Sequence, residues 1–198
     1  SLRIVEHQVN GPVLVVERSF EVGITALASD PPSARLMVGL TDGRIVVLND
    51  RLTPVGGFRV DGRVTGVSFC VDEHVLVTYG RGQFSEEYFV GRYSLDGAVR
   101  YDKKVGYTTN AVASLGRGRA AYGTDDSRVG VISDDGDVAW EVLLPRPVVV
   151  LRTSDDRRQI VAVDNSGAVH VLSYDGEVLQ QRPVSNFPIT AVQSTAPH

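Results

Sequence analysis

Four carboxylates, Asp134, Asp135, Asp137 and Glu141, crowd around Gly136 in the stretch VISDDGDVAWEV. Hard cations such as calcium are held by oxygen ligands on loops of this kind. The calcium-loop spacing D-x-[DN]-x-[DN]-G-x₅-E is absent, however. An Asp-Gly or Asn-Gly pair also has a simpler use. Glycine adopts positive φ without steric cost and Asp or Asn tolerates it, which favours a two-residue hairpin turn. The related stretches NDRLTP, LDGAVR, YDGEVL and VNGPVL place the same kind of bend between apolar runs elsewhere in the chain. A bend that recurs at one structural position is assigned as a turn, and no metal is expected.

The remaining reactive residue types are scattered. His7, His74, His170 and His198 form no ligand spacing such as H-x₃-H. Cys70 ends an apolar run, where a small buried side chain is expected, and no Cys-His arrangement lies near it. There is no G-x-S-x-G elbow and no phosphate-binding loop, so no cofactor is expected. GRGQFS (80–85) and GRGRAAYG (116–123) contain glycines but lack the lysine and the strand-to-helix context of a phosphate cradle. Arg81, Arg117 and Arg119, near Tyr79 and Phe84, have the composition for stacking on nucleic acid. Interleaved acids and a net charge of −4 argue against that partner. Asp125 and Asp164 are the visible candidates for a catalytic acid in an enzyme reading.

At 198 residues the chain can bury roughly 70% of its unfolded surface without a disulfide or a metal. One cysteine allows no internal disulfide, which fits a reducing, cytoplasmic setting. No apolar run approaches the ~20 residues of a membrane span, and the N-terminal stretch SLRIVEHQVN lacks the pattern of a signal peptide. Lys103 and Lys104 are the only lysines, so the basic surface consists of forked guanidinium donors suited to carboxylates.

The elements that must position these residues repeat. ITALAS (24–29), VTGVSF (64–69), NAVASL (110–115), VVVLRT (148–153) and ITAVQS (189–194) recur about every 40 residues. Each is short and most carry several β-branched residues, the pattern of a strand. Three more apolar runs follow each of the first four, giving four-strand repeats over 24–63, 64–108, 109–147 and 148–188. LRIVEHQVNG and PVLVVERSF fit the third and fourth positions of the same unit. The whole chain, 1–198, is therefore expected to form one domain.

A four-stranded unit repeating near 40 residues, with hairpin turns between strands, resembles the β-propeller superfamily. The hairpin VISDDGDVAWEV looks most like those of WD40-like and quinoprotein (PQQ)-like repeats. No unit ends its third strand in Trp-Asp. The quinoprotein tryptophan occurs once, as Trp140, with Tyr101, Gln180 and Val55 at the matching positions. The resemblance implies an all-β propeller of about five four-stranded blades. The closing blade would join 1–23 to 189–198, which protects sheet edges but leaves its second strand missing. A three-stranded blade, a larger propeller, or a strand from a partner would each account for that gap.

In a propeller, the loops joining second to third strands share a face with the loops joining blades. The expected face gathers Asp42, Arg81, Phe84, Glu86, Glu87, Asp125, Asp126, Arg128, Asp164 and Asn165, with Arg63, Tyr107, Arg146 and Phe187 from the inter-blade loops. Mixed arginine, aromatic and acid is the composition of a recognition surface. The expected function is a non-catalytic scaffold binding a protein partner there. The alternatives are a propeller binding a small ligand, glycan or metal, or an enzyme with its site in the central channel.

Overall fold

The computed structural model describes residues 1–8, 11–82, 87–154 and 158–183, without the side chains of 3–16 and 31. The strand ITAVQS (189–194), and with it Phe187 and His198, lies outside the described residues.

The described chain is all-β apart from one short turn of helix at Pro31–Ser33. β1 (Leu2–Gln8) and β2 (Gly11–Arg18) form a two-stranded antiparallel sheet. The first four-stranded sheet comprises β3 (Ile24–Asp30), β4 (Arg35–Leu40), β5 (Arg44–Leu48) and β6 (Pro54–Arg59). The second comprises β7 (Arg63–Phe69), β8 (His74–Arg81), β9 (Glu87–Ser94) and β10 (Val99–Val105). The third comprises β11 (Thr109–Gly116), β12 (Arg119–Thr124), β13 (Arg128–Ile132) and β14 (Val138–Leu143). The fourth comprises β15 (Val148–Thr153), β16 (Gln159–Asp164), β17 (Ala168–Ser173) and β18 (Val178–Pro183). In each sheet consecutive strands pair in sequence order, the meander of a propeller blade.

Strand periodicity explains the packing. Side chains alternate between faces, so a middle strand squeezed between two sheets must be apolar on both. In β8, Val75 and Val77 join Met37, Ile45 and Val64 in the layer between the first and second sheets. Leu76, between them, faces the other way and meets Val90, Val112, Ala120 and Ile132 in the next layer. Ala121, Val129, Val131, Leu151, Ile160 and Leu172 fill the layer between the third and fourth sheets. One glycine in each of two layers lets neighbouring blades approach: a Cβ on Gly39 would lie 2.5 Å from Val64 Cγ1 between the first and second sheets, and one on Gly123 would lie 2.4 Å from Val148 Cγ1 between the third and fourth. On the other side of the first sheet, Val38, Leu40, Leu48 and Leu52 pack against Leu2, Phe20 and Val22, which docks the N-terminal pair beside it.

The first strands β3, β7, β11 and β15 lie innermost and together line a central channel. Each slips register near its start: between Ile24 and Ala26, Val64 and Gly66, Thr109 and Ala111, and Val148 and Val150. Such a bulge re-aims one side chain per strand, here Thr25, Thr65, Asn110 and Val149, all on the channel wall.

The Asp-Gly bend is a turn, one residue longer than the two-residue form expected from its sequence. Ser133 N–H donates to the Asp137 carbonyl (2.9 Å) and Gly136 N–H to the Ser133 carbonyl (3.1 Å), with Gly136 at φ 93°. This is a three-residue loop whose last residue is left-handed. Ser94–Ala98 and Ser173–Glu177 repeat it, and at Asn49–Thr53 Leu52 takes the glycine position at φ 55°. In two of these loops a serine hydroxyl bonds the aspartate two positions on: Ser133 bonds Asp135, and Ser94 bonds Asp96. The hydroxyl bonds, with help from backbone N–H groups, hold both carboxyls below their ordinary pKa.

Each such glycine also receives an aromatic from the preceding blade. Added Cβ atoms at Gly97, Gly136 and Gly176 would meet Phe58, Tyr101 and Trp140 respectively. Trp140 Nε1–H donates to the Tyr174 carbonyl at 2.8 Å, pinning the fourth sheet to the third. In the first blade the aromatic is Phe58 and not a counterpart at Val55, which is 57% exposed.

Candidate functional site: the loop face

Backbone hydrogen bonds tie the second-to-third-strand turns to the inter-blade loops, so the two families share one face. Thr41 N–H donates to the Gly23 carbonyl (2.9 Å), Asp125 N–H to Thr108 (3.0 Å) and Asn165 N–H to Pro147 (2.9 Å). In return Val60 N–H donates to Gly43 (3.0 Å) and Leu144 N–H to Ser127 (2.7 Å).

The side chains of that face divide into those that hold the turns and those left for contact. Asp42 accepts from Arg44 N–H (3.2 Å) and Arg44 Nε (2.7 Å). Its burial opposes ionisation, but those bonds and the Arg44 charge prevail and lower its pKa. Asp126 accepts from Thr124 Oγ1 and from Arg128 Nε, the latter at 2.8 Å. Asp164 is a correction to the expected surface. It is 1% exposed, and its carboxylate accepts from Ser166 N–H (2.9 Å), Ser166 Oγ (2.6 Å) and Ala168 N–H (3.1 Å), and pairs with His170 Nε2 (2.8 Å). A carboxylate so enclosed braces its own turn and cannot meet a partner. Asp164 is not among the described residues that line the channel spaces.

Around Arg128 the structure assembles a cluster that the sequence did not show. Its guanidinium pairs with Asp126, lies 3.6 Å from Glu141 Oε2, and stacks 5.5 Å over the Tyr107 ring. Tyr122 Oη donates to Glu141 Oε1 at 2.6 Å, and its ring covers Gly130, where a Cβ would lie 2.3 Å from it. In the second blade Tyr79 Oη donates to Asp102 at 2.5 Å, with the Tyr93 ring over Gly91. Burial, followed by the carboxylate beside it, raises the pKa of Tyr122, and Tyr79 shifts the same way for the same reasons. These phenols are buried donors, not titrating acids. The Tyr-Gly pairs ending both second strands were the available signal.

Arg81 pairs with Asp61 (3.0 Å) and lies 4.6 Å over Phe89, while Glu87 pairs with Lys104 at 2.5 Å. Arg63, Asp125 and Arg146 are exposed, and Tyr107 is 45% exposed. Phe84 and Glu86 lie outside the described residues. Among the described residues no three of His, Cys, Asp and Glu gather as a metal site. No helix there is long and apolar enough to cross a membrane. Cys70 is packed beside the layer of Leu76 and Val90, and burial raises its thiol pKa.

No protein-family model matches the chain, and no curated protein matches its sequence. Solved structures do. The WD40 domain of Pan2 from Neurospora crassa superposes with a TM-score of 0.66 at 20% identity, covering 82% of this chain and 50% of that one. A protein of unknown function from Bacteroides caccae superposes with a TM-score of 0.66 at 9% identity, covering 87% of this chain and 64% of that one. The chain thus spans about half of the first propeller and under two thirds of the second. Its fold is that of a WD40-like β-propeller, with four complete four-stranded blades among the described residues.

Proposed function

We propose that the protein is a non-catalytic interaction scaffold that binds a protein partner through the loop face, and that it works in the cytoplasm. One observation carries the reading. The turns of this face are braced internally by Asp42, Asp126 and Asp164, which leaves a rigid platform with Arg63, Tyr107, Asp125 and Arg146 presented outward. Rigid loops offering arginine and tyrosine suit recognition, since such anchors lose little entropy on binding. The fold neighbour is a WD40 domain, a fold often used for protein interaction, and fold alone does not fix function. Closure of the ring by ITAVQS (189–194), giving a fifth blade with β1 and β2, belongs to the same proposal.

The test is capture from native lysate with the wild-type protein and two variants. In one, Arg63→Glu, Tyr107→Ala and Arg146→Glu alter the loop face. In the other, Val99→Glu and Arg100→Glu alter an exposed fourth strand at the rim. A stoichiometric protein lost only with the first variant is the expected result. Equal retention by both overturns the assignment of this face.

A further inference from the structure

We propose that the central channel, toward its end away from the loop face, is a binding site for a small organic oxyanion, a carboxylate or a phosphate ester, held by Arg152. The innermost strands show why. Ala28, Ser68, Ala113 and Arg152 are equivalent, since each pairs with the third residue of its second strand: Met37, Leu76, Ala121 and Val161. Three blades place a small residue at this level, and the fourth places a guanidinium. Ala28 and Ala113 pack into the layers between blades, so the guanidinium is what the fourth blade adds to the space beside it.

That room is a cavity of about 360 Å³, to which Ser29, Ser68, Ser114 and Thr153 contribute hydroxyls. It continues toward the loop face as a second space of about 260 Å³, and Leu27, Val67, Val112 and Arg152 line both. Among the described residues no carboxylate lines either space. Arg152 itself is exposed, and its one hydrogen bond among the described residues runs from Nη1 to the Leu151 carbonyl at 2.8 Å. Arg44, Arg81, Arg92 and Arg128, by contrast, each have an aspartate partner. A guanidinium carries five N–H donors in a fixed fork that matches two oxygens of a carboxylate or phosphate. Among the described residues, four of its five donors are therefore left for a ligand. The apolar wall of Leu27, Val67 and Val112 favours an oxyanion carried on a compact apolar body, and the volume suits a small metabolite. The role assigned is binding.

This site is independent of the loop face and stands or falls separately. The test is side-chain NMR of arginine Nε–Hε groups in the 198-residue protein, titrated with benzoate, phenyl phosphate, inorganic phosphate and neutral benzamide. The expected result is a saturable shift of the Arg152 signal with benzoate or phenyl phosphate and none with benzamide. Whichever of the two binds more tightly identifies the headgroup. Inorganic phosphate binding as tightly as phenyl phosphate would contradict the part assigned to the apolar wall. Arg152→Gln should weaken binding about tenfold or more, as expected when a charged hydrogen-bond donor is lost, and Arg152→Lys should weaken it less. Both variants should keep the wild-type melting temperature, because the side chain is exposed. Should Arg152→Gln fail to fold, the shift in wild-type protein still decides. The proposal is overturned if neither oxyanion moves the Arg152 signal, if benzamide moves it equally, or if binding survives in a folded Arg152→Gln variant.

Discussion

Asp164→Ala separates a turn brace from a contact residue. Removing the carboxylate strands the Ser166 and Ala168 N–H groups and His170 Nε2, of which Ala168 and His170 belong to buried residues. Each buried polar group left unpaired costs about 1–3 kcal/mol, and Ser166 near the surface regains water, so a total of roughly 3–5 kcal/mol is expected. For a chain of this size that lowers the melting temperature by roughly 10 °C or somewhat more. Urea unfolding followed by the fluorescence of Trp140, the single tryptophan, reads the change directly. His170→Leu combined with Asp164→Ala should cost less than the sum of the single changes, with a coupling of about 1–2 kcal/mol. The pH dependence has a fixed sign. Burial of Asp164 disfavours its charge, but hydrogen bonds from Ser166, His170 and Ala168 outweigh it, so the folded pKa lies below the ordinary 3.8. The contribution is complete above the unfolded value and disappears as the pH falls through the lower folded value. The gap between wild type and variant should therefore be constant from neutrality down to about pH 5 and narrow below 3.8. A loss under about 1 kcal/mol at neutral pH, or a gap that widens in acid, would refute the bracing role.

Gly123→Ala should destabilise by about 1–3 kcal/mol in the same assay, because the new methyl must displace Val148 from a close-packed layer. Retained stability would mean that the third and fourth blades sit further apart. Asp135→Ala should cost roughly 0.5–1.5 kcal/mol, the worth of its local hydrogen bonds, and millimolar calcium should leave the wild-type melting curve unmoved. A calcium-dependent rise would make the turn a metal site after all. Trp140→Phe keeps the ring over Gly176 but loses the bond to the Tyr174 carbonyl, and about 1 kcal/mol of stability should go with it.

Much of the blade order was legible because strands announce themselves locally. ITALAS, VTGVSF and VVVLRT are β-branched runs bounded by turn residues, and they are β3, β7 and β15 with ends within a residue of the expected ones. Turn length was less legible. Asp-Gly supplies the left-handed residue of two-residue and three-residue loops alike, so the dipeptide alone does not distinguish them. The loop face followed from blade topology, but which of its charges are free did not. Asp164 and Asp125 read alike in sequence, but Asp164 ends β16 opposite Val148, whereas Asp125 is the first turn residue after β12, a place that Asn165 takes in the fourth blade. Arg152 looked like an ordinary strand residue, because the channel it faces exists only once four blades stand together.

The loop face is tested most directly by hydrogen–deuterium exchange on the captured complex. Bound partner should slow exchange in the 41–44, 61–63, 106–109, 125–128 and 145–147 segments, and leave the third-to-fourth-strand turns at 95–98, 134–137 and 174–177 unchanged. Protection confined to those latter turns, or spread along the exposed strands β6 and β18, would contradict the account.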